Sequence, residues 1–126
     1  MSINNKYYKS NITSIVINCA HKVHASLGVG FQELIYQRAL KIEFDRAGLN
    51  NEREKELPVY YGGYEIGTRR VDFLIDGDIM IELKATIKLD NVNYAQIINY
   101  LEVYKVKIGL LINFGSKLLE VKRFIK

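Results

Sequence analysis

The chain has no tryptophan, one cysteine and one proline among its 126 residues. Cys19 alone cannot close an internal disulfide, so no covalent staple holds the fold, and a reducing, cytoplasmic setting is expected. No basic start leads into an apolar run and a small-residue cleavage site, and no apolar stretch approaches the ~20 residues of a membrane-spanning helix. Export and membrane readings fall away on those grounds. Linkers rich in Pro, Gly or Ser, internal repeats and low-complexity tracts are also missing. A single domain over residues 1–126 is therefore expected, with residues 1–10 frayed.

What is present is an ordinary globular balance, 48% hydrophobic and 25% charged. A chain of this length buries roughly two thirds of its unfolded surface, so it folds without a structural metal, and a bound metal would serve chemistry. The net charge of +4 suits a polyanionic partner without demanding one. Lys117, Lys122, Arg123 and Lys126 form a loose basic cluster near the end.

Hydrophobic spacing predicts the elements. Ile12, Ile15, Val16, Cys19 and Val23 recur at three and four residues, a helix from about Asn11 to Ser26. Leu34, Leu40 and Phe44 mark a second helix from Phe31 to about Ala47, with Gly48 as its stop. Asn50 to Glu56 reads as a charged turn. Leu57 to Tyr61 and Tyr64 to Ile66 then read as a hairpin around Gly62-Gly63. Val71 to Ile75 and Ile79 to Leu83 are apolar enough to be central strands. A third helix over Val92 to Tyr104 and closing strands at Lys107 to Phe114 and Leu119 to Phe124 complete an α/β pattern, a mixed central sheet flanked by helices.

The turn Asp76-Gly77-Asp78 decides the chemistry. As a three-residue turn it pairs Ile75 with Ile79, which sets Asp72 opposite Glu82 on one face of the sheet. Lys84, two residues on, projects to the same side, while Val71, Phe73, Ile75, Ile79, Ile81 and Leu83 fill the opposite face. A two-residue turn would put the two acids on opposite faces. Carboxylates from adjacent strands, with the Leu83 carbonyl and waters, suit a hard cation such as Mg²⁺ or Mn²⁺. Such a cation can acidify water and polarise a phosphodiester, with Lys84 adding positive charge.

Arg70-Val71-Asp72 followed by Glu82-Leu83-Lys84 resembles the strand pair of the PD-(D/E)xK nuclease superfamily, with Val71 where its proline usually stands. Gly30-Phe31-Gln32-Glu33-Leu34-Ile35-Tyr36 is similar to the signature of the GxxExxY family, which is assigned to that superfamily. The similarity runs from about Ile12 to the C-terminus. It implies a restriction-endonuclease-like three-layer core and a metal-dependent nuclease. It also implies that Glu33, on an early helix, completes the acidic cluster, and that Gln96, four residues before Tyr100, contacts substrate. Arg69 and Arg70 are expected to neutralise phosphates nearby.

Blander explanations cover other features. Glu120-Val121-Lys122 repeats the Glu-x-Lys pattern without an upstream hairpin acid, as alternating charges on a half-exposed strand would. His21 and His24 lack further ligands at metal spacing and read as exposed helix residues. Cys19 reads as a small buried hydrophobe. Tyr60, Tyr61 and Tyr64 offer base-stacking rings, but strand packing is the expectation adopted for them.

These observations converge on a phosphodiesterase that binds metal through Asp72, Glu82, the Leu83 carbonyl and Glu33. Glu33, Asp72, Glu82 and Lys84 act in cleavage, and DNA is preferred over RNA. A protein partner supplying specificity and pairing with a second copy through a sheet edge are further expectations. The alternative is a non-cleaving module of the same fold that binds nucleic acid or a protein.

Overall fold

The computed structural model describes residues 9–126. The segment expected to fray lies outside them except for Lys9 and Ser10, and Ser10 opens the first helix. The order is α1 (Ser10–Leu27), α2 (Glu33–Arg46), β1 (Asn51–Tyr61), β2 (Tyr64–Ile75), β3 (Ile79–Lys84), α3 (Asn91–Tyr104), β4 (Ile108–Asn113) and β5 (Glu120–Ile125).

The sheet has five strands in the order β1-β2-β3-β4-β5. Only β3 and β4 run parallel, because α3 crosses over between them; the other neighbours are antiparallel. Helices α1 and α2 cover one face, where Val16, Cys19, Tyr36, Leu40 and Phe44 pack on Phe73, Ile81, Leu110 and Phe114. Helix α3 covers the other, with Leu101 against Val71 and Met80, and Ile97 against Leu111. Those three layers are the architecture expected.

The stripe of α2 is Tyr36, Gln37, Leu40 and Phe44, not the one through Leu34, which stays exposed because it lies well round the helix from Leu40. Residues 51–56 are not a turn but the start of β1. An edge strand that is half in water accepts their charges, and Pro58 beside them lacks an N–H to offer a further strand. Gly62 and Gly63 turn the β1–β2 hairpin with φ of 58° and 83°, a conformation that favours glycine.

Two features depart from a regular ladder. Glu54 has φ 54°, and the β1–β2 pairing passes from Arg53↔Phe73 to Lys55↔Val71 with no Glu54–Asp72 pair. The strands switch faces at this step. Arg53 and Phe73 look towards α2, whereas Leu57 and Val71 join the cluster under α3. Val71 therefore does not share the face of Phe73 and Ile75, because alternation holds only along an unbroken strand.

The second departure is near the hairpin tip, where the β1–β2 register shifts between Val59 and Tyr60. Tyr60, Tyr61 and Tyr64 are 61%, 76% and 77% exposed, so packing does not explain these tyrosines. The first seven residues of β2, Tyr64 to Arg70, all lie at the surface, and α3 reaches this arm only near its base, where Tyr100 lies under Arg69.

A candidate metal-dependent active site where two strands part

The turn Asp76-Gly77-Asp78 has three residues, and Ile75 pairs with Ile79 as the sequence predicts. Asp76 shares the positive φ with Gly77, at 56° and 76°, and the Asp78 N–H donates to the Ile75 carbonyl at 3.1 Å. Lys9 reaches Asp78 at 2.7 Å and Asp76 at 3.6 Å across this turn. The ladder continues to Phe73↔Ile81 and ends there.

Beyond that pair β2 and β3 part, and two acids fill the gap. The Leu83 N–H donates to Asp72 Oδ2 at 2.8 Å, and the Asp72 N–H lies 3.4 Å from Glu82 Oε1. Each carboxylate thus receives a backbone N–H from the opposite strand, replacing the ladder bonds that the parting removes. The acids meet between the strands rather than side by side on one face. The predicted register brings them together, and the switch of faces at Asp72 turns its side chain inward.

Burial is the main cause that pushes the Glu82 carboxyl up to about 7; the Asp72 charge adds to it, and Arg69 and Lys84 offset it. Glu33 stands at the first turn of α2, and its carboxyl is also raised, by withdrawal from water and by Asp72, with Lys84 opposing. Mutual electrostatics therefore link Glu33, Asp72, Glu82 and Lys84 in one cluster. Arg69 belongs to its margin: its guanidinium lies 4.8 Å over the Tyr100 ring, and its charge bears on both Glu82 and Tyr104.

The remaining predicted positions sit further out. Arg70 is an exposed residue paired with Glu56 at 3.5 Å and Glu54 at 3.8 Å. Gln96 lies on the exposed side of α3, one turn before Tyr100. Leu83 is buried at the end of β3, where the Lys84 carbonyl accepts the Phe114 N–H at 2.9 Å.

Among the described residues no three Asp, Glu, His or Cys side chains stand together as a metal cage. Two neighbouring carboxylates, each bonded to a backbone N–H of the opposite strand, do fit Mg²⁺, which is held by one or two carboxylates and keeps much of its water. The buried Glu82 beside Asp72 is an anionic pair that a divalent cation would relieve, and only oxygen donors are present.

The sequence reading missed Gln37. Its Nε2 donates to Asp72 Oδ1 at 2.8 Å, and its Oε1 accepts from Arg53 at 3.2 Å. Helical spacing places Gln37 one turn after Glu33, on the same side of α2, and that was its only signal. His24 is likewise more than an exposed helix residue: its Nε2 lies 2.9 Å from the Ser116 carbonyl. Cys19 is buried, as expected, and burial raises its thiol. Glu120 has a structural role, accepting from Asn113 at 2.8 Å and from the Leu89 N–H at 3.2 Å.

Comparison with known proteins bears on the fold and the family. The crystal structure of SSO0001 matches with a TM-score of 0.57 and 22% identity, covering 97% of this chain and 61% of that one. The likeness is one of fold, and the chain spans less than two thirds of that protein's length. No curated protein sequence matches the chain. The family model of the PD-(D/E)XK nuclease superfamily matches residues 10–124, and with its five-stranded mixed sheet between helices the chain belongs to that superfamily and has its restriction-endonuclease-like core.

Proposed function

We propose that this chain hydrolyses phosphodiester bonds in nucleic acid, DNA in preference to RNA, with Mg²⁺ or Mn²⁺ as cofactor, and that it is a GxxExxY member of its superfamily acting as one domain. The observation that carries the reading is the Asp72–Glu82 contact with Lys84 and Glu33 close enough to act on the same charges.

Asp72, Glu82 and the Leu83 carbonyl would hold the cation, and Glu33, which forms no three-carboxylate cage with them, would add its negative charge nearby. A divalent cation bound there supplies acidity to water and positive charge to the scissile phosphate. Lys84 directs its ammonium at the attacking water and at charge developing on phosphate oxygens, where a fixed cation in a partly dry site is effective. Arg69, tied to Tyr100 beside Glu82, neutralises a flanking phosphate, and Arg70 takes the next one along β2. Gln96 offers a neutral amide to the strand. A domain this small has little surface for reading bases, so a protein partner or a second copy supplies specificity.

The test is incubation of wild type, Asp72→Ala and Lys84→Ala with single- and double-stranded DNA and RNA, in Mg²⁺, Mn²⁺ or EDTA. Cleavage that needs metal and is lost in both variants is the expected result. Nucleic-acid binding without cleavage in the wild type under every condition would sink the enzyme reading and leave a binding module.

A further inference from the structure

Gln37 is a buried amide that the reaction outlined above leaves without a task. It is only 5% exposed, on the stripe of α2 that otherwise carries Tyr36, Leu40 and Phe44. Burying an amide is costly unless its donors and acceptor are used, and Gln37 uses both ends. Arginine only donates and an ionised carboxylate only accepts, so the bonds to Arg53 and Asp72 fix the amide in one orientation.

The consequence falls on Asp72. An aspartate carboxylate turns readily about its last torsion, which has broad, roughly two-fold preferences. Here Oδ2 is held by the Leu83 N–H and Oδ1 by Gln37, both at 2.8 Å, so strand β3 and helix α2 together set its plane. A neutral amide is suited to this work. A lysine or arginine at position 37 would hold Asp72 equally well but compete by charge with a cation, and a glutamate would repel it. The positive charge of Arg53 stays one bond further back, on the exposed edge strand β1.

Resting on the metal-site reading above, we infer that Gln37, oriented by Arg53, is a positioning residue that fixes the Asp72 carboxylate in the plane in which it meets the metal. Partners that orient ligating groups typically carry 10- to 100-fold in metal affinity. The same helix then governs two acids, since Glu33 lies one turn before Gln37.

The experiment is a Mn²⁺ titration of the full chain without nucleic acid, with free Mn²⁺ followed by electron paramagnetic resonance and thermal unfolding recorded in EDTA. Gln37→Leu is expected to weaken Mn²⁺ binding by about 10- to 100-fold. Arg53→Ala is expected to weaken it less, with unfolding in EDTA unchanged. Wild-type affinity in both variants, with Asp72→Asn losing the metal, overturns the positioning role and leaves the metal site standing. Binding unmoved by Asp72→Asn overturns the metal site and the role together. If Gln37→Leu does not fold, Arg53→Ala decides, because its side chain is at the surface: weaker binding supports the role and unchanged binding overturns it.

Discussion

The ring of Tyr36 lies on that of Phe114 with centroids 4.7 Å apart and planes 11° from parallel, and its hydroxyl donates to the Gly28 carbonyl at 2.7 Å. One side chain thus ties α2 both to the end of β4 and to the loop before α2, which fixes the first turn of α2, where Glu33 stands. Tyr36→Phe removes the hydroxyl and strands a carbonyl, so it should cost about 1–2 kcal/mol. Tyr36→Ala should cost about 3–5 kcal/mol by leaving a cavity. Urea unfolding measures both, and equal losses would show that the ring contributes nothing.

Stability should depend on pH through Glu82. Its carboxyl titrates near 7 in the folded chain and near 4.3 when unfolded, so the folded state keeps a proton that the unfolded state has released between those values. The stability is complete below about pH 4 and falls as pH rises through 7, by about 4 kcal/mol in all. The raised Glu33 carboxyl acts in the same direction. Urea titrations in EDTA from pH 4 to 8 should show the fall in wild type and a much flatter curve in Glu82→Gln; a wild-type curve that rises over this range would contradict it.

Metal should reverse that loss. At pH 7.5 a hundredfold excess of Mg²⁺ over its dissociation constant should stabilise wild type by about 2.7 kcal/mol. Asp72→Asn should gain far less under the same conditions. Calorimetric scans with and without Mg²⁺ compare the two directly.

Gly115 has no room for a side chain, since a Cβ there would run into the Thr86 backbone. Asn113, fully buried, binds that same segment through the Thr86 N–H and carbonyl, both at 2.9 Å. Gly115→Ala should force the segment after Lys84 to move and cost about 1–3 kcal/mol. Amide NMR shifts should change from Lys84 to Thr86 while those of the β1–β2 hairpin tip at Gly62 and Gly63 stay fixed.

The tyrosines of the hairpin tip should be nearly silent in folding. Tyr61→Ala and Tyr64→Ala should each change stability by no more than about 0.5 kcal/mol, as expected at exposed positions. A loss of 2 kcal/mol in urea would mean that these rings are covered in solution.

The meeting of Asp72 and Glu82 was legible because one three-residue turn fixes the parity of two short strands. The core strands were legible for a related reason: Ile79, Ile81, Leu110 and Ile112 are apolar on a sheet covered on both sides. The face of Val71 was not, since alternation predicts it only if no residue between breaks the strand, and nothing in Glu54 announces a left-handed backbone. Residues 51–56 looked like a turn because charge patterns do not distinguish a loop from an edge strand whose partner lies far along the chain. The tyrosines show the same limit: strand propensity is local, but whether a helix covers the strand is a tertiary matter. Gln37 was visible on the right side of its helix, yet an amide on a stripe does not say which acid it will hold.

The face switch at Asp72 makes this residue a seam between two half-cores. Phe73, just after it, is locked among the side chains of α1 and α2, and Val71, just before it, among those of α3. A substitution that loosens either layer will therefore tug on the same peptide units from one side, so distant packing mutants in α1 and in α3 should converge on a single phenotype. Suppressors of a defect in one layer are best sought in the other.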